Sequence, residues 1–524
     1  MRRREFLLAS ASVAGGLVGG GAVAGIAPCP PEVLRVSGGS AVRSACAVRP
    51  PPGGPGWFRK LRPLQWTPLA GGGAMSESWQ RGDCLAEAVP PPPYFGNYGP
   101  RYLTAGWNGA CVDHDNLQMI LALNGGHAAR QENDAYALDL GAEVPGWRRI
   151  LEATPPTDPK SGEAFINRLP ITDPNGKVYE SPVVLPGWLL DGPAPEIAFN
   201  DRQPDLRQVR RRPRTLHTCS HYHYSNGKVW FPIMNAWDRG SGATSLVKLA
   251  LDVAALRSDP SLAAWRYGDI GPWQYVGVIR EQTGGGQDAF GFGVGALDRS
   301  TGKIWYVGQR TASYWSMDTL GATTGQHRFY DDAPREKDLS SSAGAIAHGI
   351  TKRDGRETSL FVMMEQGSHR LWILDTAQAG TGTGWSSVEP ANARSLVWSH
   401  SLRQVAPGYE GHPPAYGMVY HAPARCFLAY NCDQLPDRAS VRVLRVPFNS
   451  DGSYDPDGHW EWDQATFGDT GPDLNNPRAA GGGGSYTRFN SIPDYAGTGD
   501  TLLIHLSSHN RPTWVCRLPA SALA

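Results

Sequence analysis

The densest group of chemically reactive side chains spans residues 217–224, which read HTCSHYHY. Side chains alternate between the two faces of a β-strand, so His217, His221 and His223 share one face and Tyr222 lies on the other. Because the ordinary pKa of histidine is about 6.5, these imidazoles suit proton transfer near neutral pH. An innermost strand favours histidines that are packed and hydrogen-bonded within the fold; the alternative is a reactive site, with His217 at the loop-proximal end of the strand as general base or ligand contact. The candidate catalytic residues are His217, Tyr222 and Arg239.

A run of arginines leads directly into this stretch. It consists of Arg207, Arg210, Arg211, Arg212 and Arg214. Guanidinium groups bind carboxylates, sulfates and phosphates through paired hydrogen bonds. The run is either a solvated linker or a grip on an acidic ligand such as a uronate or a sulfated glycan. An arginine that neutralises a carboxylate, together with a histidine or tyrosine that moves the adjacent proton, is the minimum set for a polysaccharide lyase.

The stretch that best defines the fold spans residues 119–147. An apolar run ends in Gly125 and Gly126, an alternating strand follows at residues 135–140, and Trp147 comes last. This pattern resembles the kelch repeat of β-propellers, which combines an apolar strand, a diglycine, a tyrosine and a later tryptophan. The resemblance implies an all-β propeller of four-stranded blades, with a repeat of about 50 residues. The abundance of turn residues, Gly 63 and Pro 43, favours the same all-β class.

Groups of short alternating strands predict six blades between residues 103 and 518. The last group has only three strands, and Gln65–Leu69 reads as an isolated strand that would complete it. We expect this N-terminal strand to close the ring, because closure hides an otherwise open sheet edge. Residues 151–213 are either a long loop over one face or a seventh blade, since Asn175-Gly176 begins a turn and a short strand.

Propellers present two loop-bearing faces, and one of them collects the loops that follow the second strand of each blade. The connections between blades lie on the same face, so ligands favour it. Polar residues follow the second strand repeatedly, as Asn124, Glu365 and Asn431 do. The alternative is that loop tips are simply polar. The ligand-binding residues predicted on this loop-rich face are Arg101, Tyr102, His127, Arg214, Arg310 and Arg488.

Metal chemistry is the alternative to metal-free binding. Two histidines on one strand face suit zinc or copper, but an innermost strand would crowd a metal ion. We expect no cofactor, with copper or zinc at His217 and His221 as the alternative. The resemblance to kelch propellers invites a comparison with galactose oxidase, a kelch-like enzyme with a copper site of two Tyr and two His. Here Tyr420-His421 is the one adjacent Tyr-His pair on a predicted inner strand, but it falls at the far end, away from the loop-rich face.

The N-terminus predicts export. Arg3–Leu7 resembles the twin-arginine signal, and an apolar run follows to Ala27. We predict a signal peptide at residues 1–27, a Pro/Gly-rich linker at 28–56 and the propeller at 57–524, with the insertion at 151–213. The resemblance implies a periplasmic or secreted protein with no stable membrane anchor after the signal is removed.

The charge balance limits the classes of expected partner, and the cysteine content permits disulfides. Lys and Arg total 49, as do Asp and Glu, so nucleic acid is not an expected partner. The eight cysteines all follow the signal and permit disulfides in an oxidising compartment, with pairings left open. Cys426 and Cys432 lie too far apart along one predicted strand to pair with each other.

Three functional hypotheses follow. The leading one is an exported propeller that binds, and in its stronger form processes, a carbohydrate on the face bearing His127, Arg214, His217 and Arg239. An enzyme of the lyase or copper-oxidase type is the second hypothesis. A non-catalytic protein-interaction propeller is the third, because fold alone does not fix function.

Overall fold

A computed structural model gives the fold. The structure describes residues 33–35, 41–43, 51–69, 103–104, 108–124, 133–153, 171–172, 178–179, 218, 222–235, 246–264, 266, 270–279, 293–308, 311–337, 339, 343–365, 370–390, 416–431, 438–472, 485–507 and 511–523. Within these ranges, six four-stranded antiparallel sheets form the blades of a β-propeller.

The first three blades follow the strand order of the sequence, from the inner strand outward. The first blade consists of β4 (Cys111–Asp113), β5 (Gln118–Ala122), β6 (Ala135–Asp139) and β7 (Trp147–Leu151). The second consists of β10 (His223–Ser225), β11 (Lys228–Asn235), β12 (Leu246–Asp252) and β13 (Trp273–Ile279). The third consists of β14 (Val294–Asp298), β15 (Lys303–Val307), β16 (Tyr314–Asp318) and β17 (His327–Tyr330). The hairpin between β10 and β11 turns at Asn226-Gly227, where both residues have positive φ. Asn-Gly favours this two-residue turn because both residues tolerate that conformation.

The last three blades repeat the same meander, and the N-terminal strand completes the sixth. The fourth blade consists of β18 (Ala343–Thr351), β19 (Glu357–Met364), β20 (Leu371–Asp375) and β21 (Trp385–Val388). The fifth consists of β22 (Gly417–His421), β23 (Cys426–Tyr430), β24 (Ser440–Arg445) and β25 (Glu461–Thr466). The sixth consists of β26 (Phe489–Ile492), β27 (Thr501–His505), β28 (Trp514–Leu518) and β3 (Thr67–Pro68). Thr67 pairs with Val515 and Pro68 with Trp514. The prediction that an N-terminal strand closes the ring is confirmed.

The N-terminal segment also packs between blades on both sides of the closed sheet. Trp66 is buried, with its ring 5.3 Å from Tyr430 in the fifth blade. Helix α1 (Gly56–Lys60) buries Trp57 and Phe58, and the Phe58 ring lies 4.4 Å from Tyr495 in the sixth. Closure therefore rests on aromatic packing as well as on strand pairing.

Little helix accompanies the blades. Helix α2 (Val253–Ser258) follows β12, and the Asp252 side chain caps it by accepting a hydrogen bond from the Ala255 N–H. The 3₁₀ segments are Pro260–Ala263, Gly321–Thr323, Thr376–Gln378, Ala422–Ala424, Tyr486–Arg488 and Tyr495–Gly497. Across the described ranges, no helix is long and apolar enough to cross a membrane.

Two small sheets lie outside the blades. β1 (Val33–Arg35) pairs with β2 (Ala41–Arg43) inside the segment predicted as a linker. β8 (Ile171–Thr172) pairs with β9 (Val178–Tyr179) inside the insertion. The described part of the insertion thus forms a two-stranded sheet rather than a seventh four-stranded blade, and the six-bladed prediction holds.

The hydrophobic core lies between blades rather than in one central mass. One cluster joins Ile120 and Ala137 of the first blade to Phe231 and Trp273 of the second. Each sheet buries both faces against its neighbours, so most blade residues are apolar. Cys111, Cys426 and Cys516 are buried free thiols, and the other five cysteines lie outside the described residues.

Candidate functional site: the axial cavity

The inner strands of all six blades surround a cavity on the propeller axis. Its volume is about 340 Å³, and every blade contributes to its lining. Small residues on the third and fourth blades, Gly295, Ala296, Gly344 and Ala345, form part of the wall. A cavity of this size suits one small molecule, because ligand pockets begin at roughly 300 Å³.

Polar side chains cluster where the inner strands end. His114 follows β4, Arg299 follows β14, His348 lies within β18 near its end and Tyr420 is the penultimate residue of β22. We call these four residues the cavity cluster. They come from four blades, so the cluster exists only in the closed ring.

Two aspartate turns position His114 and Arg299. Asp113 Oδ1 accepts hydrogen bonds from the backbone N–H groups of Asp115 and Asn116, both at 3.0 Å. Asp298 Oδ1 accepts from the Ser300 N–H at 3.0 Å. Such turns fix the backbone immediately after a strand, so the residue next to the aspartate is held in a defined direction.

A buried ion pair reinforces the first of these turns. Asp113 is fully buried and pairs with Arg257 of helix α2. The same guanidinium donates to Gln118 Oε1 at 2.7 Å. This contact ties the turn that carries His114 to the second blade.

Strand irregularity positions His348, whereas ordinary pairing positions Tyr420. The register of β18 against β19 shifts between Ala347 and Ile350, and Gly349 has a φ of 66°. The shift is a β-bulge, which redirects a side chain without ending the strand. Tyr420 pairs in register with Phe427, and its ring centroid lies 5.7 Å from that of His348, at 79°.

Arg299 is the cation of the cavity cluster. Among the described residues, the lining contains this arginine and three histidines, His114, His223 and His348, but no Asp or Glu. The carboxylates of Asp115 and Asp298 act on Arg299 and His348 from outside that lining. Arg299 is exposed to the interior of the cavity, yet protein surrounds it closely enough that desolvation lowers its pKa to about 10. It therefore remains charged at neutral pH.

The other members of the cluster are neutral at neutral pH. Burial, aided by the charge of Arg299, lowers the pKa of His114 well below its usual value and also lowers the pKa of His348. Burial, aided by Cys426, raises the pKa of Tyr420 to about 12. The cavity cluster thus holds one cation, two neutral imidazoles and a protonated phenol.

The cavity cluster has no hydrogen bond or ion pair to any other part of the chain that the structure describes. His114 Nδ1 is buried without a hydrogen-bond partner there. Buried polar groups in proteins are normally hydrogen-bonded, and exceptions concentrate at functional sites. Other buried polar atoms also lack a partner among the described residues, such as Trp66 Nε1 and Trp273 Nε1, but the cavity cluster combines this feature with a shared cavity.

The polar residues that follow the second strands are in a different position. Asn124 is 1% exposed, and its Nδ2 donates to the carbonyls of Leu103 and Gly109 at 2.8 and 2.9 Å. Glu365 Oε1 accepts from Trp372 Nε1 at 2.6 Å. His505 ends β27 and shares a hydrogen bond with Ser485 Oγ at 3.0 Å. We call Asn124, Glu365 and His505 the peg residues.

Two of the predicted site residues are described, and both are bonded within the fold. Tyr222 is fully buried, and its hydroxyl donates to the Gly109 carbonyl at 2.7 Å. Arg488 is 1% exposed, and its Nη1 donates to the carbonyls of Leu506 and Ser507 at 3.1 and 2.8 Å. Neither residue lines the axial cavity. The other predicted site residues, which lie outside the described residues, are Arg101, Tyr102, His127, Arg214, His217, His221, Arg239 and Arg310.

We next ask whether the described residues could hold the zinc or copper ion of the alternative hypotheses. Among them, no three His, Cys, Asp or Glu side chains converge to hold a metal ion. The pair Tyr420-His421, compared above with galactose oxidase, does not converge either. Tyr420 lines the cavity, whereas His421 is buried with its Nδ1 3.3 Å from Thr501 Oγ1. These two residues therefore do not fit a shared copper ion.

Sequence reasoning missed the cavity cluster because its members are scattered and lie at the opposite end of the inner strands from the predicted site. A usable signal exists in the turns. Asp113-His114-Asp115 and Asp298-Arg299-Ser300 each place a polar residue inside an aspartate turn after an inner strand. The bulge that exposes His348 has no comparable signal, apart from the following Gly349.

Comparisons with known proteins leave the assignment at the level of fold. No protein-family model matches the sequence, and no curated protein does. Similar solved structures include an auxiliary nutrient-binding protein from Bacteroides ovatus, with 11% identity, a TM-score of 0.35, and coverage of 86% of this chain and 75% of that one. The periplasmic gluconolactonase of Pseudomonas aeruginosa has 10% identity and a TM-score of 0.29, with coverage of 80% and 87%.

A third similar structure is an engineered GH43 glycoside hydrolase with endo-xylanase and exo-arabinofuranosidase activity. It has 14% identity and a TM-score of 0.30, and the match covers 81% of this chain and 69% of that one. Likenesses this weak carry no argument about function. The class, a six-bladed β-propeller, rests on the strand pairing of this chain.

Proposed function

We propose that this chain is an exported, kelch-type propeller that binds a carboxylate-bearing sugar in its axial cavity. The observation that carries the proposal is the cavity cluster: one charged arginine and three neutral polar side chains that have no hydrogen bond or ion pair to described residues. The described part of the lining contains no Asp or Glu. Guanidinium groups pair with carboxylates in two parallel hydrogen bonds.

The neutral members favour a hydroxylated ligand over a bare anion. A neutral imidazole has one donor and one acceptor nitrogen, and a phenol hydroxyl can both donate and accept a hydrogen bond. Ser300, Thr487 and Asn490 add further hydroxyl and amide groups to the lining. A uronate presents a carboxylate to Arg299 and several hydroxyls to the remaining groups.

Calorimetric titration with D-galacturonate and D-galactose tests the proposal, since these sugars differ mainly at the carboxylate. We expect galacturonate to bind and galactose to bind much more weakly. Arg299→Leu should weaken galacturonate binding by about 10- to 100-fold, because a hydrogen bond to a charged group contributes about 1.5–3 kcal/mol. Arg356→Leu, at an exposed arginine paired with Asp354, is the matched control and should bind normally.

Other outcomes would overturn the proposal. Binding that survives Arg299→Leu but is lost in Arg214→Leu would move the site to the loop-rich face, with His127, His217 and Arg239. Binding of inorganic phosphate without galacturonate would contradict the sugar assignment. Failure of both sugars and phosphate to bind would favour the protein-interaction hypothesis.

A further inference from the structure

The cavity cluster contains an acid–base pair beside its cation. His348 and Tyr420 come from the neighbouring fourth and fifth blades, and their ring centroids lie 5.7 Å apart in an edge-to-face arrangement. Neither side chain makes a hydrogen bond to another described residue. Both line the same cavity as Arg299. A ligand whose carboxylate binds Arg299 would therefore lie within reach of both groups.

The two groups hold complementary protonation states. The burial of His348, together with the charge of Arg299, outweighs the opposing effect of Asp298, so the pKa of His348 is lowered and the imidazole is unprotonated at neutral pH. Burial raises the pKa of Tyr420 to about 12, so its phenol keeps its proton. One group can therefore accept a proton at the same pH at which the other can donate one.

The lining argues against hydrolysis as the reaction. Glycoside hydrolysis generally uses two carboxyl groups, one as acid and one as base or nucleophile. Among the described residues, the cavity lining contains neither Asp nor Glu. The acid and base that the cavity cluster itself offers are a phenol and a histidine, with an arginine beside them.

We propose that the axial cavity catalyses β-elimination on a 4-O-linked uronate, an inference that rests on the proposed binding function. Arg299 binds the carboxylate and stabilises the negative charge that develops when the adjacent C5–H bond is broken. His348 takes the C5 proton, and that electron pair becomes the C4=C5 double bond. The C4–O bond breaks, and Tyr420 gives its proton to the leaving oxygen. Proton transfer from His348 back to Tyr420 restores both groups, so no oxidant, water or other co-reactant is consumed.

The test is the formation of unsaturated product from 4-linked oligogalacturonates, followed by the ultraviolet absorbance of the new conjugated double bond. We expect His348→Gln to lower kcat by about 10²- to 10⁴-fold, as for loss of a general base. Tyr420→Phe should lower it by a similar factor. The matched controls are His459→Gln, at an exposed histidine, and Tyr330→Phe, on the outer strand β17. Both controls should keep full activity.

Two readouts separate catalysis from mere structural support. A 4-deoxy-4-fluoro uronate needs less help from an acid, because fluoride leaves more readily than an alkoxide. Tyr420→Phe should therefore lose much less activity on that substrate than on the oligomer, while His348→Gln should lose as much on both. For wild-type protein, kcat/KM should fall only below the ordinary histidine pKa of 6.5, because the pKa of His348 is lowered.

The outcomes distinguish this inference from the binding proposal. If galacturonate binds but no unsaturated product forms, elimination is wrong and binding stands. If galacturonate does not bind and no product forms, both proposals fail. Product formed equally by wild type, His348→Gln and Tyr420→Phe would show that other residues catalyse the reaction.

Discussion

At the ends of the second strands, polar side chains are buried and bonded within the fold, whereas at the ends of the inner strands they line a cavity. The side-chain amide of the peg residue Asn124 donates hydrogen bonds to two backbone carbonyls. Arg299 of the cavity cluster, in contrast, forms no ion pair with any described residue. Histidine occurs at both ends, so a hydrogen-bond partner among the described residues, rather than residue type, distinguishes the peg residues from the cavity cluster.

The physical basis of the difference is position relative to the axis. The second strand of a blade has protein on both faces, so a polar residue at its end is desolvated and must find partners within the chain. The inner strand borders the cavity, where a polar group can be satisfied by solvent or by a ligand. We therefore expect polar residues there to contribute little to the stability of the fold and to be available for binding.

The largest expected effect comes from the same substitution made at the two ends. Asn124→Leu should lower the free energy of unfolding by about 3–5 kcal/mol. It leaves buried groups of Leu103, Gly109 and Thr218 with fewer partners, and each unsatisfied buried group costs about 1–3 kcal/mol. Arg299→Leu should leave the free energy of unfolding unchanged or raise it, because burial disfavours the charge of Arg299 by more than the nearby Asp115 carboxylate favours it. Chemical denaturation measures both.

This comparison has a clear point of failure. If Arg299→Leu destabilises the protein as much as Asn124→Leu, then Arg299 supports the fold and the cavity cluster is structural. If Asn124→Leu has no effect, the pegs are dispensable and the distinction between the two ends disappears.

Acid should destabilise the protein through its buried histidines. Burial lowers the pKa of His421 to about 4 and that of His505 well below 6.5. Between about pH 6.5 and pH 4 the unfolded chain binds more protons than the folded one, so stability falls as pH falls through this window. His421→Gln should remove about 2 kcal/mol of the loss between pH 7 and pH 4.5, since one pKa unit corresponds to about 1.4 kcal/mol.

Urea denaturation at the two pH values measures this effect. His459→Gln, at an exposed histidine, is the control and should keep the full pH dependence of the wild type. A His421→Gln variant with an unchanged pH dependence would mean that His421 does not remain neutral in the folded protein.

A pair of tyrosine substitutions gives a smaller but sharper contrast. Tyr222→Phe removes a buried hydroxyl that donates to the Gly109 carbonyl at 2.7 Å and should cost about 1 kcal/mol. Tyr420→Phe should cost close to nothing, because its hydroxyl has no hydrogen-bond partner among the described residues. Thermal denaturation distinguishes the two, and equal losses would contradict the assignment of Tyr420 to the cavity cluster.

Much of the fold could be predicted from the sequence because local signals agree with the global arrangement. Residues 327–330, 426–430 and 514–518 each read as a short strand in the sequence, and the observed strands His327–Tyr330, Cys426–Tyr430 and Trp514–Leu518 have these bounds. Alternating apolar residues bounded by turn residues are decisive here, since each strand belongs to a simple meander. The closing strand could be predicted too, because a three-stranded last blade requires a fourth partner.

The candidate site could not be predicted in the same way. The cavity cluster draws on residues 114, 299, 348 and 420, which only ring closure brings together. Polar residues at the ends of second strands look equally functional in the sequence, since burial and bonding are tertiary properties. The prediction for Tyr222 came from its reactive neighbours, and these say nothing about the partner that occupies its hydroxyl.

The smallest expected effect tests whether the cavity cluster is one electrostatic unit. The charge of Arg299 helps to lower the pKa of His348 and of His114, after burial. Arg299→Leu should therefore raise both pKa values toward the ordinary value, by less than about one unit because solvent in the cavity screens the charge. The pKa of His505 depends on burial and on Arg488 instead, so it should not change. NMR titration of the imidazole protons resolves these shifts, and a His348 pKa that stays constant in Arg299→Leu would show that the guanidinium does not act on the histidine proposed as the base.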